Sequence, residues 1–432
     1  METFLTSCQE ALEANRGDGG PGFHVVLGNE ACDMDSMVSV MAYAYFLSKT
    51  LNTNAVVLPV LNIPRSQLAL RTDNVFLLRQ SGVPQDLLLF REQLDLLQLQ
   101  RTGRLALTLV DHNVLPSSDQ DLEGAVVEVI DHHLLEREPS SSCQVTVEMV
   151  GSCATLVTER IVQKAPEILD PQLALLLYGT IVLDCVNMAP EAGKVTPKDS
   201  QHAAQLETRF PGLPPRGALF QSLQNARFDV SGLSTEQMLL KDMKVVTGGE
   251  LHLAVSVIYL TLEAFLQRAD LEQDLSAFCV EHGYNMLLAM TISFKDNKEP
   301  FRQLAIFSHS ALCREEMSQA LEQARNPALS LCPISTPHSH IKAYLQGNTQ
   351  ASRKKLLPIV KDFLKEREQD GCRGNQDKEE EEEEEDSQFP PTPMNSLVEG
   401  CPLDNGLPRI SAQALEEKFS KMADQEERTR SP

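Results

Sequence analysis

The sequence predicts an α/β protein, in which a doubly wound parallel-sheet domain is followed by a smaller α/β domain and a disordered acidic tail. Three observations support this prediction. Short apolar runs alternate with helical patterns between residues 23 and 185, and a second group of such runs follows a stretch rich in proline and glycine. After residue 368 the composition changes to acidic and proline-containing sequence. Strand and helix alternation is typical of a parallel sheet covered by helices.

The first domain, predicted over residues 1–206, depends on continuous apolar runs. A run of four to six apolar residues is typical of a strand that is buried on both faces. The predicted strands are "FHVVLG" (23–28), "AVVLPVL" (55–61), "LALTLVD" (105–111) and "AVVEVID" (125–131). The predicted helices follow Asp35, lie around 85–100 and run across 152–163.

Residues 207–235 are predicted to be a linker, because they mix proline, glycine and polar residues with one short helical piece. The second domain is predicted over 236–368. Its strands are "LHLAVSVIYL", "YNMLLAMTISF" and "RQLAIFS", its helix covers "TLEAFLQRADLEQDLSAFCVEH", and it closes on the basic amphipathic helix "SRKKLLPIVKDFLKE" (352–366). The tail, 369–432, is too acidic and too poor in apolar residues to form a core.

Composition excludes several classes of function. The 432 residues are 42% apolar, which is enough for two domains with real cores. The net charge of -23 and the absence of tryptophan argue against a nucleic-acid partner, because an acidic surface repels phosphate backbones. The ten cysteines have irregular spacings without a CxxC pair, and the longest apolar stretch is too short for a membrane span. We therefore expect a cytoplasmic protein, with the nucleus as a second location.

Acidic residues end several predicted strands. Asp33 and Asp35 follow the first strand in "GNEACDMDS", where they either flank a bound cation or cap the next helix. Asp111 ends the third strand, and "DHH" at 131–133 ends the fourth. Each is also consistent with an ordinary turn or cap, although imidazole is the commonest transition-metal ligand.

Asp184 lies in "YGTIVLDCVNM", where apolar neighbours would desolvate its carboxylate. Such a charge needs either a cation or a network of backbone donors. Taken together, the acids at 33, 35, 111 and 184 and His132 would project from the carboxyl edge of one parallel sheet or from a helix lying on it. Oxygen-rich ligation with one imidazole suits Mn²⁺ or Mg²⁺ better than zinc, and two ions would need one bridging carboxylate, for which Asp111 is central.

These motifs carry a resemblance to a known family. In order and spacing, "GNEACDMDS", "LVDHN", "VIDHHL" and "LDCVNM" resemble the four motifs of the DHH phosphoesterase superfamily, and "SRKKLLP" resembles the closing signature of its second domain. The chain is similar to family II inorganic pyrophosphatases. It is more similar still to the prune exopolyphosphatases, on stretches such as "GSCATLVTERI", "GKVTPKDS" and the tail block "PPTPMNSLVEGCPLDNGLP".

The resemblance implies roles for individual residues in a two-ion site. Asp33 would bind the first ion, Asp35 and Asp184 the second, and Asp111 would bridge both. His132 would complete the shell of the second ion.

Further residues are implied as an additional ligand and as phosphate contacts. Asn29 stands where the pyrophosphatases have a histidine, so the resemblance implies an amide ligand at the first ion. His133 would face substrate phosphate, at a position where many prune relatives have arginine. Arg353 and Lys354 of "SRKK", and Lys244 of "KDMK", match positions that hold phosphate oxygens in relatives. The alternative for the two residues of "SRKK" is a surface pairing with nearby acids.

The resemblance implies an exopolyphosphatase that hydrolyses short inorganic polyphosphate with water activated by two Mn²⁺ or Mg²⁺ ions. One alternative is a cyclic-nucleotide phosphodiesterase, which would use the same ions. The other is an adaptor that binds nucleoside diphosphate kinase through its C-terminal region, where the acidic run is otherwise interpreted as a solvated spacer.

Overall fold

The computed structural model describes residues 1–15, 20–138, 140–294 and 300–371. The chain divides into two compact units. Among the described residues, the first comprises Met1–Asn62 and Phe76–Gln224, and the second comprises Ile63–Val75 and the residues from Asn225 to 371. The division at Gln224 falls inside the range that the sequence predicts as a linker. The domain limits at 206, 235 and 368 stay a prediction, and the tail after residue 371 lies outside the described residues.

Among the described residues up to 228, strands and helices follow one another as far as residue 147, within the range 23–185 for which the sequence predicts alternation, and four α-helices without a strand follow. In chain order they are α1 (Glu2–Ala14), β1 (Phe23–Leu27), α2 (Met34–Thr50), β2 (Val56–Leu61), α3 (Thr72–Ser81), β3 (Leu89–Phe90), α4 (Leu96–Arg101), β4 (Leu105–Val110), β5 (Val126–Asp131), β6 (Gln144–Val147), α5 (Cys153–Lys164), α6 (Pro171–Asp184), α7 (Pro197–Arg209) and α8 (Arg216–Phe228).

The strands of the first unit form a parallel sheet in the order β3-β2-β1-β4-β5-β6. Both faces of the sheet are buried, which explains the continuous apolar runs: Val25 and Leu109 lie in a core cluster, and Val26 and Val110 are equally buried. The strand order reverses between β1 and β4. In open α/β sheets ligands bind beyond the carboxyl ends of the strands at such a reversal.

The prediction of a helix around residues 85–100 is wrong for most of that range. Short 3-10 turns at Gln85–Leu87 and Arg91–Gln93 surround β3, and only Leu96–Arg101 is α-helical. The reason is tertiary, because Leu89 and Phe90 pair with β2 and are almost fully buried at the edge of the sheet. An apolar run of this length does not distinguish a buried strand from a helix by its pattern alone.

The second unit is a mixed α/β structure. Its elements are α9 (Thr235–Lys241), β7 (Met243–Gly248), β8 (Leu251–Ile258), α10 (Leu262–Leu266), α11 (Leu271–His282), β9 (Met286–Phe294), β10 (Pro300–Phe307), α12 (Ala311–Gln323), β11 (Leu331–Ile334), β12 (Ile341–Gln346) and α13 (Arg353–Gly371). The sheet has the order β11-β12-β10-β9-β8-β7, with β8 and β9 parallel and the other neighbours antiparallel.

The three strands predicted for this unit are present as β8, β9 and β10. The single helix predicted over 261–282 is interrupted, because Asp270 adopts a left-handed conformation with φ of 55° between α10 and α11. The closing basic helix is present as α13 and buries Leu356 and Val360. Among the described residues, no helix is both long and apolar enough to cross a bilayer.

Candidate metal centre

The candidate site lies at the carboxyl ends of β1, β4 and β5. In the register of β1 and β4, Leu27 pairs with Leu109, so Asn29 and Asp111 each lie two residues beyond a paired position. Asp111 continues the ladder to β5, because its backbone N–H donates to the carbonyl of Ile130 at 3.0 Å. The sheet therefore gathers the ends of three sequence motifs at the reversal of strand order.

Asp111 is the centre of this group. It is only 2% exposed and has φ of 62°, a conformation that Asp and Asn tolerate better than most residues. The amide of Asn29 donates to Asp111 Oδ2 at 2.9 Å, while Asn29 Oδ1 accepts from the backbone N–H of Cys32. The other oxygen of Asp111, Oδ1, is buried and accepts no hydrogen bond in the described part of the chain. A buried carboxylate oxygen of this kind is suited to a cation.

The two acids of the first motif have different local roles. Asp33 is the N-cap of α2 and accepts from the backbone N–H of Ser36 at 3.1 Å, so the capping alternative is confirmed for this residue. Asp35 is buried and accepts from the first amides of α5, with Oδ2 at 2.6 Å from the nitrogen of Cys153 and Oδ1 at 2.8 Å from that of Ala154. The N-terminus of α5 thus stabilises the charge of Asp35.

His132 faces both carboxylates. Its Nε2 lies 3.2 Å from Asp111 Oδ1 and 3.5 Å from Asp35 Oδ2. Its Nδ1 lies 2.9 Å from the carbonyl oxygen of Val150, to which it can only donate. In the neutral imidazole this bond places the lone pair on Nε2, which is the tautomer that a metal ligand requires.

His133 is oriented by a carboxylate of the same motif. Its Nδ1 lies 2.7 Å from Asp131 Oδ1, and its Nε2 is buried without a hydrogen-bond partner among the described residues. Burial raises the pKa of Asp131, but hydrogen bonds from His133 and Asn113 outweigh it and lower that pKa to about 2. Asp111, His132 and His133 each offer a ligand atom, and these atoms lie within 4.8 Å of one another.

The electrostatics of the group favour a cation. Burial, together with the negative charges of Asp35 and Asp33, raises the pKa of Asp111 well above its ordinary value. Burial lowers the pKa of His132, but the charge of Asp35, the bond to Val150 and the charge of Asp184 outweigh it and raise that pKa. Carboxylates that repel one another in a buried site are stabilised by a positive ion between them.

Asp184 is the last residue of α6. The residue as a whole is half-buried, but its carboxylate oxygen Oδ2 is buried, so the expected desolvation holds for part of the side chain. The apolar residues before it belong to α6, which is buried almost all round from Leu176 to Leu183. Its charge influences the pKa of His132, so it belongs to the same electrostatic group.

The predicted phosphate contacts belong to the second unit. Arg353 is buried and forms an ion pair with Asp242, with Nη2 at 2.7 Å from Oδ1 and Nη1 at 2.7 Å from the Asp242 carbonyl oxygen. The alternative of a pairing with an acid therefore holds for Arg353, although the pair with Asp242 at the end of α9 is buried and not at the surface. Lys354 is exposed, and Lys244 is half-buried in β7. Their roles toward phosphate stay a prediction.

Sequence reasoning did not predict the residues that hold the motif loops. Asn113 donates to Asp131 Oδ2 at 2.6 Å and to the carbonyl of Leu134 at 2.9 Å, and its own oxygen accepts from the backbone N–H of Glu136. Asn113 thereby fixes the chain around His132 and His133. The only signal in the sequence was its place in "LVDHN", next to a candidate ligand.

Two family models match the chain. The "DHH family, N-terminal domain" matches residues 24–181, and the "DHHA2 domain" matches residues 221–363. With the parallel sheet and the acids and histidines at its carboxyl edge, these matches define the class of protein, a DHH-domain phosphoesterase that carries a DHHA2 domain. "Exopolyphosphatase PRUNE1" of Homo sapiens is 50% identical over 446 residues, which cover 98% of this chain and 97% of that protein. The chain belongs to the prune exopolyphosphatase family.

More distant relatives are similar over parts of the chain. The "Manganese-dependent inorganic pyrophosphatase" of Methanocaldococcus jannaschii is 25% identical over 227 residues, covering 51% of this chain and 66% of that protein. The crystal structure of a putative family II inorganic pyrophosphatase from Methanococcus jannaschii superposes with a TM-score of 0.42 at 19% identity, covering 79% of this chain and 100% of that one.

Proposed function

We propose that this chain is a divalent-metal-dependent phosphohydrolase that cleaves phosphoanhydride bonds of short-chain inorganic polyphosphate. The observation that carries the proposal is the buried Oδ1 of Asp111, which accepts no hydrogen bond among the described residues and faces Nε2 of His132 at 3.2 Å. Membership of the prune family supports the substrate class, since the human relative is named an exopolyphosphatase.

The residues of the site fit a divalent cation. The donor set consists mainly of carboxylates with one imidazole, which suits Mn²⁺ or Mg²⁺. The name of the manganese-dependent pyrophosphatase relative supports the same choice. We propose that two ions are held by Asp33, Asp35, Asp111, His132 and Asp184. Asn29 orients Asp111 by a hydrogen bond, and its role as a further ligand is part of the proposal. When bound, such ions supply Lewis acidity toward water and offset the charge of phosphate.

The chain's own residues position the reacting groups. Nδ1 of His133 donates to Asp131, so Nε2 donates to a phosphate oxygen only when the ring is protonated. Burial lowers the pKa of His133, but the hydrogen bond to Asp131 and the charge of Asp111 outweigh it and raise that pKa, which favours the protonated ring. The hydrogen bonds of Asn113 to Asp131 and to the carbonyl of Leu134 hold the chain on both sides of the two histidines. Hydrolysis of a phosphoanhydride requires positioning and charge stabilisation more than covalent chemistry by the protein, and this site offers both.

The experiment that tests the proposal is a comparison of substrates. Purified full-length protein would be given pyrophosphate, tripolyphosphate, long-chain polyphosphate or cyclic AMP, each with Mn²⁺, with Mg²⁺ or with EDTA. We expect phosphate release from tripolyphosphate that is lost with EDTA. Faster turnover of cyclic AMP would instead support a phosphodiesterase, and no turnover of any substrate with either ion would overturn the proposal.

The proposal extends to the C-terminal region and the location of the protein. If nucleoside diphosphate kinase binds through this region, the full chain should bind it and a chain truncated at residue 368 should not. The rate of hydrolysis should be the same for both. Loss of hydrolysis on truncation would contradict the separation of the two roles. A cytoplasmic location, with the nucleus as a second site, is tested by imaging the tagged chain in cells.

A further inference from the structure

Asp199 is a fully buried carboxylate in the first turn of α7, outside the motifs that supply the candidate ligands. Its Oδ2 accepts from the backbone N–H of Gly151 at 2.9 Å, and from the backbone N–H and the hydroxyl of Thr196 at 2.7 and 2.6 Å. Its Oδ1 accepts from the hydroxyl of Thr155 at 2.6 Å. One carboxylate therefore connects the start of α7 with the loop before α5 and with the first turn of α5.

The segment that Asp199 holds carries the groups that orient two candidate ligands. The carbonyl of Val150 accepts from His132, and the amides of Cys153 and Ala154 donate to Asp35. Asp199 contacts this segment at Gly151, directly after Val150, and at Thr155, directly after Ala154. A shift of the segment would thus turn the ring of His132 and displace the carboxylate of Asp35 together.

Packing leaves the segment little room. A Cβ added at Gly151 would lie 2.4 Å from Sγ of Cys185, 2.6 Å from the carbonyl oxygen of Lys194 and 3.0 Å from Asp199 Oδ2. Only glycine allows the backbone to approach this closely, so the segment is enclosed by α7 and by the chain after α6. Close packing at Gly151 and the hydrogen bonds of Asp199 therefore act together to hold the segment in place.

We propose that Asp199 is a positioning residue for the metal centre, and that it sets the affinity for divalent cations through His132 and Asp35. This inference rests on the proposed function, because it requires that these two residues bind the ion. Hydrogen-bonding partners of ligands commonly change metal affinity by about 10–100-fold when they are removed. The competing explanation is that Asp199 acts only in the capping box of α7, which it forms with Thr196.

Variants of the full-length chain distinguish the two explanations. Asp199→Ala removes every bond of the carboxylate. Thr155→Val removes only its bond to α5 while keeping the shape of the side chain. Thr196→Ala removes the cap of α7 and leaves the bonds to Gly151 and Thr155, so it is the matched control. Binding of Mn²⁺ alone would be measured by the loss of the free-ion electron paramagnetic resonance signal, well below each melting temperature.

We expect Asp199→Ala to weaken Mn²⁺ binding at least tenfold, Thr155→Val to weaken it several-fold and Thr196→Ala to leave it within twofold. We also expect Asp199→Asn to recover part of the affinity, because its amide oxygen can still accept from Gly151. Turnover of tripolyphosphate by the alanine variant should recover at high Mn²⁺ concentration.

Each contrary outcome has a definite meaning. Equal Mn²⁺ affinity in wild type, Asp199→Ala and Thr155→Val would overturn the positioning role, and so would a loss in Thr196→Ala as large as in Asp199→Ala. If Asp199→Ala does not fold, Thr155→Val decides. If wild type binds Mn²⁺ without hydrolysing polyphosphate, the proposed function fails while a weakened Asp199→Ala still supports positioning. A wild type that binds no Mn²⁺ would overturn both.

Discussion

The side-chain amide of Asn29 donates to the carboxylate of Asp111 across the ends of two neighbouring parallel strands, with 2.9 Å between Nδ2 and Oδ2. The same nitrogen lies 3.2 Å from the carbonyl oxygen of Asp111. This pairing fixes one oxygen of the carboxylate and leaves the other directed toward His132. A neutral donor at position 29 therefore compensates part of the negative charge that the neighbouring acids concentrate at this point.

Replacement of that donor by an acid tests this relationship. In Asn29→Asp, a second carboxylate would face Asp111 in a buried site, so we expect the metal-free protein to lose about 1–3 kcal/mol of unfolding free energy at neutral pH. Mn²⁺ should restore a large part of the loss, because the ion neutralises the added charge. Thermal unfolding with EDTA and with Mn²⁺ measures both effects.

The matched control is Asn54→Asp, which adds the same charge at an exposed position. It should change the melting temperature little in either condition. An equal loss for both variants, unaffected by Mn²⁺, would contradict the electrostatic interpretation of the site.

Asp111→Asn should abolish hydrolysis while preserving the fold. Asparagine tolerates the left-handed backbone of this position, and its oxygen can still accept from Asn29. It lacks the charge that the proposed bridging role requires, so we expect turnover to fall by more than about a hundredfold, equivalent to about 2.7 kcal/mol in the barrier. Steady-state kinetics and the metal-free melting temperature provide the two measurements. Retention of more than about a tenth of the wild-type rate would refute the bridging role.

Arg353 should contribute to the stability of the second unit. Its guanidinium pairs with Asp242, and both side chains are only 9% exposed. Arg353→Ala leaves the acid with the hydroxyl of Tyr259 as a remaining donor, so we expect a loss of about 3–5 kcal/mol in unfolding free energy. Denaturant unfolding measures the loss, and the exposed neighbour gives the control variant Lys354→Ala, which should change stability by less than about 1 kcal/mol. Comparable stability of the two variants would show that the ion pair is of little importance.

The buried Lys241 should make stability depend on alkaline pH. Burial lowers its pKa from 10.5 to about 8, although the charge of Asp73 opposes the shift. Between these two values the unfolded chain holds more protons than the folded chain, so the contribution of Lys241 to stability rises with pH, by about 3 kcal/mol at most. Below pH 8 both states are protonated and this contribution does not change.

The difference in unfolding free energy between wild type and Lys241→Met measures the contribution of Lys241 alone. Tyrosines and cysteines that titrate in the same pH range affect both proteins equally. Urea unfolding at pH 7.5 to 10.5 should show wild type gaining stability relative to the variant as pH rises. A constant difference across this range would contradict the lowered pKa.

The sequence by itself predicted much of the first unit and the candidate ligands. Short continuous apolar runs favour strands buried on both faces, and an acid that ends such a strand lies at the carboxyl edge of the sheet. Asp111 and the "DHH" motif were identified in this way, and Asp33 and Asp35 from their position after the first strand. Each strand end is recognisable from its own segment of sequence. Because parallel strands end at the same edge of a sheet, these residues are expected to lie close together.

Tertiary structure decided what local patterns leave open. Leu89 and Phe90 became an edge strand because β2 offered unpaired backbone groups and a buried surface. Arg353 became a buried ion-pair partner because α9 ends beside it with Asp242, more than a hundred residues earlier in the chain. Asp199 holds the segment of Val150 through contacts that span 48 residues. A hydrogen bond between distant segments leaves no periodic pattern in either segment, so only the folded chain shows which polar residue supports which ligand.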